Sequence, residues 1–438
     1  MILGNRRRRQ ARRDQTDDDG SISVFGLFVF VGTAMIGAIA LDFTHFQSSR
    51  THLQVTADLA AHAALYSSEY ALDEAAPKAA ALAAVEASMP AAQYGATVEP
   101  DDIEFGSYDF DTGVFTADGS FQAVRVTASQ TQAGGNPVPG FLFRLIGRSE
   151  WDVSAQAIFA TWQPSCFREG FVAEGVVDIQ SNNGFKAGFC IHSNEYVSIN
   201  QNNTFEPGTV VSMPNEADID LPNSGFEKNE GLQAALRSSP ARIRILAQLE
   251  NIIDAIAAGN MNWLPDYIIS PTVITLTNVD KLNPSMLTPG RVHRIQCKKA
   301  TMTLEAFTYS NVVMIMECPV KAENGVALED AQLVILSSAI KSLSSPQGFR
   351  LGRDDACADG GGAQIFTLGG INIAASMEIY GSQIIAAGDV EFTANADGVE
   401  GASIIAGGEI SGTSNMQMGF CGTVDDNTLQ VDYYRMVQ

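Results

Sequence analysis

Histidine and paired cysteine motifs are scarce in this chain, which limits the metal and redox chemistry that it can carry. Only five of its 438 residues are histidines, and six are cysteines. No H-x-x-H, H-E-x-x-H or C-x-x-C motif occurs. No P-loop, Rossmann fingerprint or G-x-S-x-G nucleophile motif stands in a suitable context. We therefore predict no catalytic residue, no cofactor and no metal, and we expect that the protein is not an enzyme.

Basic side chains are also scarce once the N-terminus is passed. The chain holds 27 lysines and arginines against 50 aspartates and glutamates. Residues 1–21 take six of the basic and four of the acidic residues, which leaves 21 against 46 for the rest. Such a surface repels phosphate backbones, so we expect no nucleic-acid partner.

Long hydrophobic runs are absent with one exception, residues 22–41, which follow the arginines of a basic tail at 1–21. Twenty helical residues reach about 30 Å, the thickness of a bilayer core. The positive-inside rule then predicts a single-pass protein of the inner (cytoplasmic) membrane, with a cytoplasmic N-terminus and a periplasmic body. The alternative is a signal peptide cleaved after Ala38-Ile39-Ala40, but signal h-regions are shorter. Length therefore favours a retained anchor.

Small residues punctuate this run. Gly26, Gly32 and Gly37 let another membrane helix approach closely, so we expect the run to pack beside other membrane helices.

The next stretch, 42–162, combines helical and strand patterns. Apolar residues recur at helical spacing at Phe43, Phe46, Leu53, Ala57, Ala60, Ala61 and Ala64. An alanine-rich helix at 77–89 follows, and period-two alternation predicts strands at 103–108, 121–128 and 151–160. One long helix against an antiparallel sheet predicts an α+β, pilin-like module carried on the single transmembrane helix.

Several short motifs follow one another in order through this first third of the chain. They are Gly20–Val24, Leu41-Asp42, Leu53-Gln54, Ala57–Leu65, the strand Ala123–Ala128, the helix Phe141–Gly147 and the strand Val153–Ala160. In this order they resemble the N-terminal module of the Tad (tight adherence) pilus-assembly family, TadG-like branch. The resemblance implies an envelope protein with a small cytoplasmic tail that helps to build or anchor a thin adhesive pilus.

Two departures from the family pattern refine this expectation. Processing as a major pilin needs a glutamate at the fifth mature position, and with Gly20 before the cleavage point that position is Phe25. Many TadG-like proteins also carry a von Willebrand factor A domain with a D-x-S-x-S metal site. Here Asp19-x-Ser21-x-Ser23 abuts the membrane run instead of ending a buried strand, so we predict a helix cap and no metal.

Residues 163–438 show a repeat of about twenty residues. Residues 175–185 align with 195–205 at an offset of twenty, as do 384–393 with 404–413 and 311–320 with 331–340, while 292–297 precede their match by twenty-one. A weaker copy runs through Ile219, Asn223 and Phe226. This period predicts an all-β, parallel β-helix-like solenoid, with a chance-similar β-sandwich as the alternative.

Two details follow from that period. Asn182 and Asn202 would stack as an asparagine ladder at a corner. A helical insertion at about 229–259, introduced by Ser239-Pro240 and ended by Gly259, would cover a repeat with the face that carries Ile243, Leu246, Leu249, Ile253 and Ile256.

All six cysteines lie after residue 160, in the region expected to be exported. We predict disulfides, with zinc as the rival interpretation. Cys297 and Cys318 fall at equivalent positions of adjacent repeats, and stacked strands about 4.8 Å apart suit a disulfide. Cys166–Cys190 and Cys357–Cys421 then follow by elimination from fifteen pairings.

An enzyme of the β-helix type would need clustered carboxylates with a basic residue. The best such cluster is Asp354, Asp355 and Asp359 beside Arg350 and Arg353, in a glycine-rich loop. We interpret it as a solvated loop pinned by Cys357.

The sequence thus predicts a structural or assembly component of a Tad-type (Flp) pilus. Its partners would be other pilus-assembly membrane proteins and possible surface glycans. The alternatives are a surface-anchored carbohydrate-active enzyme and a carbohydrate-binding adhesin.

Overall fold

A computed structural model describes residues 19–68, 71, 73–110, 112–147, 149–162, 165–412, 414–422 and 428–437. The arginine cluster of the predicted cytoplasmic tail lies outside the described residues. The chain divides into two compact units, Met1–Trp162 with Asp432–Gln438, and Gln163–Val431. The α-helices of the described residues are α1 (Asp19–Ser67), α2 (Ala75–Ser88), α3 (Ala91–Tyr94), α4 (Leu232–Ala235) and α5 (Arg244–Ala257).

Helix α1 is one uninterrupted helix of 49 residues that contains the whole apolar run. Within the described residues it is the one helix that is long and apolar enough to cross a membrane. Its C-terminal half buries a stripe of small and apolar side chains against the module, namely Leu53, Ala57, Ala60, Ala61, Ala64 and Leu65. The predicted stripe is therefore found from Phe46 onward, since Phe46 packs half-buried against this core, whereas Phe43 is 57% exposed.

The module sheet is antiparallel and five-stranded, and it packs beneath α1 and α2. Its strands, in spatial order, are Val114–Thr116, Ile103–Asp109, Ala123–Gln130, Val153–Trp162 and Tyr433–Met436. A separate two-stranded ladder joins Val138–Pro139 to Glu150–Trp151. Alternation places Val124, Val126 and Ala128 in the core, as the period-two pattern predicts. The helix expected at 141–147 shortens to a 3₁₀ turn at Phe143–Ile146.

Asp42 gives the Leu41-Asp42 motif a physical role. Its carboxylate accepts hydrogen bonds from the backbone N–H groups of Phe141, Leu142 and Phe143, at 3.0, 2.9 and 2.6 Å. Asp42 is 1% exposed although it directly follows the apolar run. A charged acceptor with three donors ties this point of α1 to the loop that carries the 3₁₀ turn.

The C-terminus departs from the domain boundary expected at 163–438. Tyr433–Met436 pairs antiparallel with the strand that ends at Trp162, with Tyr433 opposite Trp162 and Met436 opposite Phe159. The last strand therefore completes the module sheet and does not belong to the repeats. Sequence periodicity did not reveal this, because a single four-residue strand has no repeat partner.

The second unit is rich in β-strands that pair in parallel. Its strands in the first part of the unit are Gly170–Ala173, Val177–Ile179, Gly184–Phe185, Cys190–Ser193, Val197–Ile199, Asn203–Phe205, Val210–Met213, Asn229–Glu230 and Leu236–Ser238. Those after α5 are Ser270–Val279, Lys281–Leu282, Arg291–Cys297, Met302–Leu304, Thr308–Met316, Val320–Ala322, Ala327–Ile335, Leu343–Ser345, Arg350–Leu351, Ala363–Thr367, Ile371–Tyr380, Gln383–Ala386, Val390–Glu400, Ser403–Ala406, Ile410–Gly412 and Gln417–Gly419. Apolar residues that point inward from these strands form one continuous core.

The strand register follows the period found in the sequence. Val177 lies opposite Val197, and Ile384 opposite Ile404, both at the predicted offset of twenty. Val292 lies opposite Val313, at the predicted offset of twenty-one. Two details differ from the prediction. The first is the offset between 311–320 and 331–340, which is nineteen and not twenty, because Ala331 lies opposite Val312.

The second detail is the asparagine ladder, which lies one residue later than expected. Asn203 accepts the backbone N–H of Asn183 at 2.8 Å, and Asn229 accepts that of Asn203 at 3.1 Å. Asn229, and not Asn223 of the proposed weaker copy, therefore extends this ladder. Asn182 and Asn202 instead hold left-handed corners, with φ of 65° and 63°, a conformation that asparagine tolerates well.

The repeats do not stack in chain order. The first three repeats, 170–185, 190–205 and 210–238, stack on one another in chain order. The chain then passes through α5 and starts again at 270. Its last repeat, 403–419, returns to pair with the first, through Ile404 opposite Phe171 and Met418 opposite Phe185. We call this pairing of 403–419 with 170–185 the seam.

Helix α5 lies in the segment that connects the strand ending at Ser238 to the strand starting at Ser270. It covers a row of apolar side chains that face outward from the strands. The row runs across six repeats through Val172, Ile405, Ile385, Phe366, Val334 and Ile315. The helix buries Ile245, Leu249, Ile252, Ile253 and Ile256 in the same cluster. The structure has a helix in the expected insertion, followed by Gly259 with φ of 74°, but this helix begins at Arg244. The first part of the stretch expected at 229–259 instead contains the strands Asn229–Glu230 and Leu236–Ser238. Leu246 packs against the same cluster while half-buried, and Ile252 is a buried member that the sequence did not predict.

Candidate functional site

The structure joins the cysteines as Cys166–Cys190, Cys297–Cys318 and Cys357–Cys421, and leaves none free. These are the pairs expected from the sequence. Cys297 and Cys318 are separated by the offset of twenty-one that relates their two repeats. Cys357, by contrast, lies in a loop between strands. Oxidation of these pairs in the cell remains a prediction.

The double substitution Cys297→Ser/Cys318→Ser tests one of these pairs. The bond closes a loop of 21 residues, so its loss should lower the free energy of unfolding by about 3 kcal/mol. Denaturant unfolding under oxidising conditions measures this difference. With reductant present, the wild type and the variant should unfold alike. Free thiols at both positions of the untreated wild type would contradict the prediction.

A polar cleft of about 230 Å³ opens beside Cys357–Cys421, within the β-rich unit. The glycine-rich loop forms one wall with Arg353, Asp355 and Asp359. The ends of stacked strands form the other wall, and these side chains are Arg168, Glu169, Tyr380, Ser382, Glu400 and Ser403. Among these lining residues, four carboxylates face two guanidinium groups. The cleft is therefore acidic, as is the composition of the chain after residue 21.

Glu169 is the most enclosed charged group of the cleft, at 4% exposure. Its carboxylate accepts the backbone N–H groups of Cys421 and Gly422, at 2.7 and 2.6 Å. Burial raises the pKa of Glu169 above its usual range, the negative charge of Glu400 acts in the same direction, and the two amide bonds oppose both. Glu169 thereby fixes the turn that carries Cys421.

The strand register brings the other components of the cleft together. Tyr380 lies opposite Glu400, and Gly381, Gly401 and Cys421 follow at intervals of twenty. A Cβ atom on Gly401 would lie 2.6 Å from Cys421 Sγ, and the φ of Gly401 is 62°. Only glycine fits there, because the sulfur occupies the space that a side chain would need.

The acidic loop singled out in the sequence does line this cleft, but its arginines are already engaged. Arg350 pairs with Glu329, and Arg353 lies 3.5 Å from Glu329 and 3.1 Å from Asp330. Asp355 lies 4.0 Å from Arg353, while Asp354 and Asp359 are exposed. These ion pairs, together with the Cys357–Cys421 disulfide, hold the loop in place. Sequence reasoning missed Glu169 and Glu400, although the offset of twenty predicts Glu400 beside Tyr380.

Three groups of the cleft could hold a cation. The Sγ atoms of Cys357 and Cys421 and a carboxylate oxygen of Glu400 all lie within 4.8 Å of one another, and each residue is half-buried. The sulfur atoms are bonded to each other in the oxidised state, which removes their negative charge and their affinity for a metal.

The glycines of the apolar run lie on an open helix surface. A Cβ atom at Gly26, Gly32 or Gly37 would meet nothing within 4 Å. These positions are therefore accessible to an outside helix, and the close packing expected there remains a prediction.

A buried histidine lies elsewhere in the β-rich unit, next to the start of the α5 segment. His192 is 3% exposed; its Nδ1 lies 2.8 Å from Ser212 Oγ and its Nε2 lies 3.1 Å from Asn194 Oδ1. Asn194 in turn donates to Glu174. Ser212 is 4% exposed, so this serine–histidine pair is enclosed and we interpret it as a structural network.

His192 should make the β-rich unit less stable in acid. Burial lowers the pKa of His192 below its ordinary 6.5, although Asn194 and Glu174 raise it in part. The unfolded chain then binds a proton that the folded chain rejects, so the stability is complete above about pH 6.5 and is lost as the pH falls through the folded pKa. Burial also lowers the pKa of His293, which is 0% exposed. Urea unfolding between pH 7.5 and 5 measures the slope.

The variant His192→Gln should reduce this pH dependence, because one of the two buried histidines with a lowered pKa is gone and only His293 remains. His52→Gln, on the exposed surface of α1, serves as the matched control and should leave the slope of the β-rich unit unchanged. An unaltered slope in His192→Gln would contradict the assignment.

Three protein families match parts of this chain. Residues 20–76 match a TadE/G-like Flp pilus-assembly family, and residues 60–158 match a Tad-like Flp pilus-assembly family. The N-terminal part is therefore a Tad-type pilus-assembly module, as its motif order predicts. Residues 170–422, more than half of the chain, match a domain of unknown function, DUF7867, and the chain belongs to that family. No curated protein and no solved structure matched the chain.

Proposed function

We propose that this chain is a retained, single-pass structural component of a Tad-type (Flp) pilus apparatus, with the β-rich unit exported. The Tad-type module supports the assembly role. The protein acts without catalysis, and the ion-paired arginines of the acidic loop support this view. Its partners are other pilus-assembly membrane proteins.

The continuity of α1 is the observation that carries the proposal. One helix runs from the apolar residues 22–41 to the buried stripe around Ala57 and Ala61, without a break. Cleavage after Ala40 would cut this helix so that Leu41 alone precedes Asp42, whose carboxylate accepts three backbone amides. Such a tie favours a helix that stays intact and stands the module directly on the membrane surface.

Charge and cysteine content support the orientation. Arginines precede the apolar run, and the acidic region follows it. We infer a cytoplasmic N-terminus and a periplasmic β-rich unit of an inner-membrane protein. The three disulfides suit an oxidising compartment.

We further infer that the stacked repeats form a parallel β-helix-like solenoid. Its support is the repeated parallel register at offsets of nineteen to twenty-one residues, with one continuous inward-facing core. Such a body is a stiff spacer, and its outer face is the surface that would meet a partner.

A chromosomal deletion, complemented by the full chain, tests the function. Loss of pili or of adhesion in the deletion strain, and recovery with the wild type, would support the proposal. Mass spectrometry of the recovered protein should find peptides from residues 42–50 joined to residues before Ala40. A mature N-terminus after Ala40, or an unchanged number of pili, would contradict it.

The cleft favours one second candidate, a carbohydrate-binding adhesin. A half-buried tyrosine, Tyr380, beside the carboxylate of Glu400 is a surface suited to sugar hydroxyls and rings. Binding of the full chain in detergent to a glycan array, lost in Glu400→Gln and kept in Glu391→Gln, would support it. The same preparations screened for depolymerisation of acidic polysaccharides test the enzymatic alternative.

A further inference from the structure

The Cys357–Cys421 pair differs from the other two disulfides in its surroundings. A carboxylate oxygen of Glu400 lies within 4.8 Å of both sulfur atoms, and an open cleft of about 230 Å³ reaches them. Among the described residues, this is the one set of three histidine, cysteine or acidic side chains close enough to share a metal ion.

We propose that Cys357, Cys421 and Glu400 form a zinc-class divalent cation site when the disulfide is reduced. Two thiolates and one carboxylate supply three ligands of types that zinc accepts, and water from the cleft takes the fourth position. Sulfur atoms bound about 2.3 Å from a tetrahedral zinc lie roughly 3.8 Å apart. The three ligand atoms already converge within 4.8 Å, so small side-chain rotations suffice.

The backbone around the site is held in place by contacts that do not need the S–S bond. Glu169 holds the N–H groups of Cys421 and Gly422. The Cys421 sulfur packs where Gly401 leaves space. On the other side, Gly361 donates to Asp330 at 2.7 Å, which anchors the loop that carries Cys357. These contacts keep the two thiols close after reduction.

Charge also favours a cation. The cleft lining carries Glu169, Asp355, Asp359 and Glu400 against Arg168 and Arg353. Arg353 lies near Glu329, Asp330 and Asp355, so its charge is largely compensated outside the proposed ligand set. A divalent ion would offset the remaining negative charge.

A dithiol can reduce the Cys357–Cys421 disulfide to two thiols. The dithiol gives two electrons and two protons to the disulfide, the Sγ–Sγ bond breaks, and the dithiol leaves as its own disulfide. Cys357 and Cys421 are then thiols. Binding of the cation releases both protons to water, so binding strengthens as the pH rises. A newly exported chain, before oxidation, has the same two thiols.

The test uses the full chain in detergent, reduced with a dithiol that is then removed under argon, and zinc ions in equilibrium dialysis. The reduced wild type should bind one equivalent more zinc than Cys357→Ser/Cys421→Ser treated alike. The oxidised wild type should lack that equivalent. Cobalt in place of zinc should give thiolate charge-transfer absorption in the near ultraviolet, stronger in the reduced wild type than in the double variant by the contribution of one site.

Two further variants separate the ligand set from general effects. Glu400→Gln should weaken zinc binding at least tenfold, whereas Glu391→Gln, which changes an exposed carboxylate nine residues earlier on the same strand, should leave it unchanged. Cys297→Ser/Cys318→Ser should keep the extra equivalent. Zinc should also raise the melting temperature of the reduced wild type and not that of Cys357→Ser/Cys421→Ser.

Equal zinc content in the reduced wild type and in Cys357→Ser/Cys421→Ser would overturn the proposal. So would unchanged affinity in Glu400→Gln, or a reduced wild type that unfolds whether or not zinc is present. None of these outcomes bears on the pilus role, which the deletion strain tests separately.

Discussion

Replacing Asn203 with alanine is expected to lower the free energy of unfolding of the β-rich unit by about 3 kcal/mol or more. Asn203 is 0% exposed and accepts the backbone N–H of Asn183, while its own amide donates to Asn200 O at 3.0 Å. Alanine leaves these buried groups without partners, and each such group costs about 1–3 kcal/mol. Urea or guanidinium unfolding of the full chain in detergent measures the change.

The neighbouring asparagine provides a matched control. Asn202 is exposed and has φ of 63°, a conformation that glycine adopts freely. Asn202→Gly should therefore change the stability by a few tenths of a kcal/mol. Equal losses in Asn203→Ala and Asn202→Gly would show that the corner as a whole, and not the buried ladder, stabilises the stack.

The second large effect is expected from Ile256→Asp in α5. Ile256 is 0% exposed and belongs to the cluster between this helix and the outward apolar row. A carboxylate placed there loses water and gains no partner, so the variant should lose at least about 4 kcal/mol or fail to accumulate. Protein level in membranes and denaturant unfolding both report the result.

Asn251→Asp is the control for this substitution, since Asn251 is exposed on the same helix. It adds the same charge and should leave the stability within about 0.5 kcal/mol of the wild type. An Ile256→Asp protein that folds with normal stability would show that α5 does not cover the stack.

Much of the fold could be predicted because its signals are local or periodic. The apolar run, the alanine stripe of α1 and the offset of twenty each depend on residue spacing alone. The offset also places Cys297 beside Cys318, because both cysteines lie in consecutive repeats. Register was one residue wrong at 331–340, since two apolar runs align almost equally well at offsets of nineteen and twenty.

The rest depends on contacts between distant parts of the chain. Nothing in the repeat pattern indicates that the last repeat pairs with the first, or that Tyr433–Met436 joins the module sheet. The cleft has the same origin. Glu169 meets Cys421 across the seam, 252 residues away, and Cys357 reaches Cys421 from an irregular loop. Such encounters leave no spacing signal in the sequence.

The seam also dictates the order in which this molecule can mature. Phe171 and Val177 lack one of their two neighbouring strands until Ile404 and Ile410 are available, more than 230 residues later in the chain. Contacts of such sequence separation form slowly. If a ribosome or a translocation pore delivers the N-terminus first, the repeat at 170–185 has an unpaired strand edge until its partner strands arrive. Exposed apolar strand edges favour aggregation, so the opening repeats are open to misassembly until residues 403–419 have emerged.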